Sequence, residues 1–353
     1  MPSNSRSLTS PSSRTAVSME KFLRLLLLRG TATRQEIGRH SGFSSASVTL
    51  GSQWLLENDI LRKSTIRVAS SKRPVEQLAL RTLPWSLLAM RLSATGVLSD
   101  LLDSTGEVIE SFDREIPDRS QAAIFAAIGE ELRVAQSRGE ETGKPVLGLV
   151  LSVDGLVSEP EAGIIFHLNG LAGWVPCAPK AMHPAMTGMQ PVIHWTRIVC
   201  KLHGLARQLG TDDSIAYFEV LPRDLHFATM HRGVVTRGRL GTSGDFLHQT
   251  VQASGPACFC GRPGCLDARL RAGKASSAMI YSAIQRLLEQ RQIRHVGIEW
   301  RDAPASVKEA FRGAPLHTVV SVSEGHETER QGLALLGTEA ALLHLVDRLQ
   351  QQG

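Results

Sequence analysis

The sequence predicts an α/β protein with a winged helix-turn-helix at its N-terminus. Three observations carry this expectation. Residues 19–58 hold three helical patterns separated by turn signals, and two β-prone segments around a basic tip follow them. The rest of the chain alternates apolar strand runs with helical runs, which argues for α/β architecture. Charge is divided the same way: residues 1–81 hold thirteen Lys or Arg and five Asp or Glu, and the remainder holds 26 and 29. A basic end on a mildly acidic body suits a nucleic-acid module joined to a second unit.

Residues 1–18 are mostly Ser, Thr, Pro, Asn and Arg. Such a segment buries too little apolar area to offset its ordering entropy, so a disordered tail is expected. It lacks the apolar core of a signal peptide. The strongest apolar run, residues 22–28, is interrupted by Arg24 and is too short to span a bilayer. The expectation is a cytoplasmic protein with no membrane partner. Five cysteines, three of them between 258 and 265, argue for a metal site in a reducing compartment and against a disulfide framework.

The elements follow in order. Residues 19–29 read as a helix with apolar residues at 22, 23, 26 and 27, stopped by Gly30. Thr33 and Glu36 have capping-box spacing and start a second helix. It ends near Ser41-Gly42, where glycine can take a left-handed turn. Ser44 caps a third helix running to about Asn58. Residues 61–68 and 75–80 read as a hairpin wing around the tip 69–74. In the body, 146–153 and 295–299 read as buried strands, and 121–137, 278–290 and 337–350 as helices.

A helix-turn-helix places its last helix in the major groove of double-stranded DNA. Ser45, Ser47 and Thr49 would then face base edges or phosphates. Lys72 and Arg73 at the wing tip would hold phosphate or enter the minor groove. Arg34 and Gln35 sit where the N–H groups of a helix N-terminus favour a phosphate. One feature keeps a protein-contact role open for this module: residues 41–61 contain no Lys or Arg, and Leu50 stands where a base-reading residue is expected. Affinity for DNA would come from the wing and flanking arginines, with steep salt dependence.

The segment His248-x9-Cys258-Phe259-Cys260-x4-Cys265 carries the sharpest chemistry. Thiolates and a neutral imidazole suit Zn²⁺, which prefers four N or S ligands in a tetrahedron. Four protein ligands leave no open position for an activated water, so the zinc would be structural and its binding coupled to folding of the loop. Gly255, Gly261 and Gly264 supply the turns of such a knuckle. The alternative is three unrelated buried thiols. Cys177 and Cys200 read as ordinary buried residues.

The run 244–248 (Gly-Asp-Phe-Leu-His) followed by 258–267 (Cys-Phe-Cys-Gly-Arg-Pro-Gly-Cys-Leu-Asp) resembles the signature of the ROK family of repressors, open reading frames and sugar kinases. The segments 152–157 and 169–174, and the tip Lys72-Arg73-Pro74, extend the resemblance. It implies a two-lobed, actin- or hexokinase-like body. The boundaries expected on that basis are a tail at 1–18, a winged helix-turn-helix at 19–83, a first lobe at 84–205 and a second lobe with the zinc knuckle at 206–353. The C-terminal helix is able to return to the first lobe. Association through the kinase-like body as a homodimer or homotetramer is also implied.

Phosphoryl transfer needs a Gly-rich turn for phosphates, carboxylates for Mg²⁺ and a base for the sugar hydroxyl. Where the family places its first phosphate loop, this chain has 89–95 (Ala-Met-Arg-Leu-Ser-Ala-Thr), and the second is the glycine-free run 221–229. The family's catalytic Asn-Asp pair falls on Thr196-Arg197. Arginine stays protonated and cannot act as a base. The resemblance therefore implies a sensor that has lost kinase chemistry, with a divergent sugar kinase as the alternative. Family sugar contacts map to Asp245, His248 and Asp267, so a sugar or sugar-phosphate effector is expected, Thr196 adding one hydrogen bond and Arg197 favouring an acidic group. The other reading of Asp245 and Asp267 is that they orient the metal ligands.

Overall fold

The computed structural model describes residues 13–66, 74–157, 163–236, 245–300, 302–312, 318–321 and 325–352. The N-terminal module is built from α1 (Ser13–Arg29), β1 (Thr31–Ala32), α2 (Arg34–Ser41), α3 (Ser45–Glu57), β2 (Leu61–Ile66) and β3 (Val75–Leu80). Its three strands form a sheet in the order β1-β3-β2. Helix α1 starts six residues before the position that its apolar periodicity indicates, inside the segment expected to be a disordered tail. The Thr33–Glu36 capping box is present: the Glu36 N–H donates to Thr33 Oγ1 and the Thr33 N–H to the Glu36 carboxylate. Gly42 closes α2 with φ of +75°, a conformation that costs glycine little. Ser44 caps α3 by accepting from the Ser47 N–H.

The body contains two five-stranded sheets. The first joins β4 (Ser86–Ser93), β5 (Gly96–Asp103), β6 (Val108–Glu115), β7 (Val146–Val153) and β10 (Val192–Thr196) in the order β10-β7-β4-β5-β6. Helix α4 (Gln121–Glu141) packs on it, and the small β8 (Gly155–Val157) and β9 (Ile165–Leu168) pair form a separate two-stranded ribbon. Helix α5 (Arg197–Leu209) leaves β10 directly and leads to the second sheet. That sheet joins β11 (Ile215–Val220), β12 (Leu225–His231), β13 (Val234–Val235), β14 (His295–Glu299) and β15 (Thr318–Ser321) in the order β13-β12-β11-β14-β15. A single apolar cluster links the sheet to α6 (Leu266–Arg271), α7 (Ser277–Gln290) and α8 (Ala305–Arg312).

The last helix, α9 (Gly325–Gln352), runs back along α5 and packs against β4 and β7 of the first sheet. Two glycines allow α5 and α9 to approach this closely. A Cβ on Gly204 would strike the Thr328 carbonyl, and one on Gly332 the Cys200 carbonyl. Helix α9 begins twelve residues before Gly337, the position at which the sequence pattern starts it.

The N-terminal module has no core of its own. Leu23, Leu26, Ile37 and Leu55 belong to the same apolar cluster as Leu202 and Leu205 of α5 and Leu333 and Leu342 of α9. Within that contact Arg24 is buried. Its Nε donates to Asp212 Oδ2 at 2.7 Å and its Nη1 to Glu339 Oε2 at 2.6 Å, and its Nη2 lies 3.0 Å from His203 Nδ1. Burial opposes the guanidinium charge, but Glu339 and Asp212 outweigh it and raise the Arg24 pKa.

Candidate nucleic-acid face, metal centre and inter-lobe cleft

The candidate nucleic-acid face is the exposed side of α3. Val48, Ser52 and Leu55 point into the core. At 100° per residue the opposite side presents Ala46, Leu50, Gln53 and Glu57, all exposed. Ser45, Ser47 and Thr49 are exposed too, and two of the three hydroxyls are engaged locally: Ser47 Oγ lies 2.9 Å from Ser44 Oγ, and Thr49 Oγ1 donates to the Ser45 carbonyl at 2.8 Å. Arg34 is tied inward, with Nε donating to Ser52 Oγ at 2.9 Å and the guanidinium paired with Glu76, which also meets Lys63 Nζ at 3.1 Å. Gln35 is exposed at the start of α2. Lys72 and Arg73 lie outside the described residues.

The metal-ligand set converges. One ligand atom from each of His248, Cys258, Cys260 and Cys265 lies within 4.8 Å of the others. Cys260 Sγ is 3.5 Å from Cys265 Sγ, and Cys258 Sγ is 3.4 Å from His248 Nδ1. A tetrahedral ion with bonds of about 2.3 Å places its ligands roughly 3.8 Å apart, so the donor set fits Zn²⁺. The chain folds this way because Gly261 and Gly264, at φ of +87° and +68°, turn the loop back on itself. The fit at Gly264 is tight: a Cβ there would strike the Gln252 carbonyl. The Arg262 backbone N–H lowers the Cys260 pKa, while burial raises that of Cys265. Asp267 Oδ2 accepts from Cys258 Sγ at 3.5 Å and pairs with Arg271, whose guanidinium lies 4.9 Å from the Phe259 ring centroid. Asp267 therefore lies beside the metal ligands, the position expected of a group that orients them. The side chain of Asp245 lies outside the described residues, and its backbone opens the short helix Asp245–His248.

A cavity of about 560 Å³ opens on the first lobe beside the start of α5. Arg91 and Ser93 of β4 and Thr95 of the β4–β5 turn line it, with Asp113 and Glu115 of β6, Asp154 and Arg197 just after β7 and β10, and His326 and Glu329 of α9. Its lining includes Arg197 but not Thr196, His248 or Asp267. The proposed ligand residues thus fall at two loci, the metal loop and the start of α5.

Arg197 spans the two lobes. Its Nη1 donates to Asp154 Oδ2 at 2.9 Å and its Nη2 to Glu219 Oε2 at 3.1 Å. One turn on, the buried Lys201 Nζ donates to Glu219 Oε1 at 2.7 Å and to Glu299 Oε2 at 2.6 Å. His226 completes the network, with Nδ1 3.2 Å from Glu219 Oε2 and Nε2 3.2 Å from Asp224 Oδ2. Burial alone would push the Glu219 carboxyl up, but the His226 hydrogen bond and the charges of Arg197 and Lys201 hold it well below the usual range. Hydrogen bonds to Asp224 and Glu219 raise His226 to about 9, so it is protonated and donates from both nitrogens at neutral pH. Glu329, bonded to Ser152, is raised by burial.

β11 and β12 are joined by a tight turn closed by a hydrogen bond from the Leu221 N–H to the Asp224 carbonyl, 3.0 Å long. Arg91 pairs with Asp100 Oδ2 at 3.0 Å. Neither Lys201, Glu219, Glu299 and His226 nor the Arg24 cluster stands out in the sequence. The available signals were a lysine inside the apolar run 198–202, and an arginine inside the apolar run 22–28.

A helix-turn-helix with a strand hairpin, packed on two α/β lobes, defines a winged-helix protein with an actin- or hexokinase-like body. The ROK family model matches residues 223–312. It is similar to the DNA-binding transcriptional dual regulator NagC of Escherichia coli strain K12, with 22% identity over 298 residues, 84% of this chain and 71% of that one. A crystal structure of a ROK family transcriptional regulator, described as a homologue of the E. coli Mlc protein, superimposes with a TM-score of 0.64 at 17% identity, covering 93% of this chain and 98% of that one. A ROK family glucokinase from Streptomyces griseus, solved with glucose and AMPPNP, superimposes with a TM-score of 0.52 at 16% identity, over 71% and 99% of the two chains. Among the described residues no helix is long and apolar enough to cross a membrane.

Proposed function

We propose that this protein is a cytoplasmic DNA-binding transcriptional regulator, a repressor in its mode, whose kinase-like body senses a ligand without phosphorylating it. One observation supports the reading. A capped helix-turn-helix shares its core with a two-lobed body, and an arginine clasped by two carboxylates stands where the family resemblance puts the catalytic base. A guanidinium cannot accept the sugar proton. Asp154 and Glu219 neutralise it and are themselves occupied.

The effector is a sugar or sugar derivative held in the cleft. Arg197 engages an acidic group on such a ligand only by exchanging it for Asp154 or Glu219. An effector shifts lobe closure through unequal affinity for the DNA-competent and incompetent forms. Helices α5 and α9 carry that movement, because each has one side chain at the cavity and another at Arg24: Arg197 and His203 on α5, Glu329 and Glu339 on α9. Zn²⁺ held by His248, Cys258, Cys260 and Cys265 would brace the loop beside Asp267 as a closed structural site. A homodimer or homotetramer places two recognition helices on paired half-sites.

Selection by the full chain from a pool of random DNA duplexes tests this. Enrichment of one related set of sequences is expected, and recovery of none contradicts it. The sugar-kinase alternative draws on the carboxylates around Arg197 and Lys201. A coupled assay for ADP release across hexoses and N-acetylhexosamines is expected to show no turnover. Turnover abolished by Arg197→Ala would favour the kinase.

A further inference from the structure

Helix α3 offers a duplex no cation. Its outward stripe begins with Ala46 and Leu50, one turn apart, and Leu50 is 70% exposed. Several polar groups beside them are held locally: Thr49 Oγ1 and Ser47 Oγ are hydrogen-bonded within α3 and its cap, and Gln53 Nε2 donates to Glu57 Oε1 at 2.9 Å. The part of a recognition helix that meets base edges is its N-terminal half, which here is the Ala46–Leu50 step. Only one base-pair feature in the major groove is apolar, the C5 methyl of thymine. The surrounding module supplies the charge match to a polyanion, with thirteen basic and five acidic residues in the first 81.

We infer that Leu50, flanked by Ala46, reads thymine methyl groups and is the specificity-determining side chain of this helix. This rests on the DNA-binding reading above. The commonest guanine contact, bidentate to O6 and N7, uses an Arg or Lys, which α3 lacks. The flanking cations supply affinity that is blind to sequence, and Leu50 supplies the discrimination.

The test uses the full chain and a duplex selected by it from the random pool, remade with deoxyuridine in place of thymine at one position at a time. Loss of the methyl group at one or two positions of each half-site is expected to weaken binding about fourfold, the worth of one buried methyl-sized group. Leu50→Ala is expected to keep the wild-type melting temperature, because the side chain is exposed, and to bind the thymine and uracil duplexes equally. Uracil tolerated at every position, or discrimination retained by Leu50→Ala, overturns the inference while leaving DNA binding intact. A chain that selects no duplex removes the DNA-binding reading and this inference together.

Discussion

Glu219 receives hydrogen bonds from three cations, and each of those cations reaches a second carboxylate. His226 is the titratable member of that set. Its pKa rises from the ordinary 6.5 to about 9 in the folded chain, through Asp224 first and Glu219 second. A raised folded pKa means that the contribution is complete below about pH 6.5 and is lost as pH climbs through about 9. Urea unfolding of His226→Gln should therefore show a flatter stability profile between those limits than the wild type, and equal slopes would contradict the assignment. At the metal loop, metal analysis should find about one zinc per chain. Cys260→Ser should lower that content and the melting temperature of the body. A fully stable, metal-free wild type would contradict the structural role. The two sites differ in how legible they were. Three metal ligands lie within eight residues, so spacing alone exposes them, with His248 ten residues upstream of the first. The Glu219 network joins residues that lie 22 and 98 positions apart, and only the fold brings Arg197 to Glu219 and Lys201 to Glu299.

Helices α1, α5 and α9 form the joint between the DNA-binding end and the body. Their boundaries were read unevenly, for physical reasons. Caps are local, so Thr33, Glu36, Gly42 and Ser44 mark α2 and α3 within a residue. The sequence pattern starts α9 only at Gly337, and Gly332 and Gly337 are residues that usually weaken a helix interior. The fold uses them as contact points, Gly332 against the Cys200 carbonyl and Gly337 against Val150. Gly332→Ala should cost about 1–3 kcal/mol in urea unfolding, the usual penalty for overpacking a well-packed contact. A neutral result would show that α5 and α9 can part without loss. Arg24 is the second test of the joint. Arg24→Met leaves Asp212 and Glu339 buried without their partner, and a broken buried pair costs about 3–5 kcal/mol. Burial already raises the Glu339 pKa, so this carboxyl is the one expected to take up a proton in the variant. Stability unchanged in Arg24→Met would remove the joint from the account.

Seen whole, the molecule is a sensor-like body whose first sheet, second sheet and N-terminal module all meet at α5 and α9. The alternation of strands and helices and the split of charge were visible in the sequence. The shared core was not, because an apolar helix reads the same whether its partner is its own module or another. The shared core fixes the winged helix against α5 and α9, so a movement of those helices would carry it along. The central claim is that this face binds duplex DNA through flanking cations, with an uncharged recognition helix. Fluorescence-anisotropy titration of the full chain with a labelled duplex from its own upstream region, at 50 and 200 mM salt, tests this most directly. Saturable binding at the lower salt that weakens by more than about tenfold at the higher is predicted, as expected when phosphate contacts supply the affinity. No complex at 50 mM salt, or binding indifferent to salt, would contradict it.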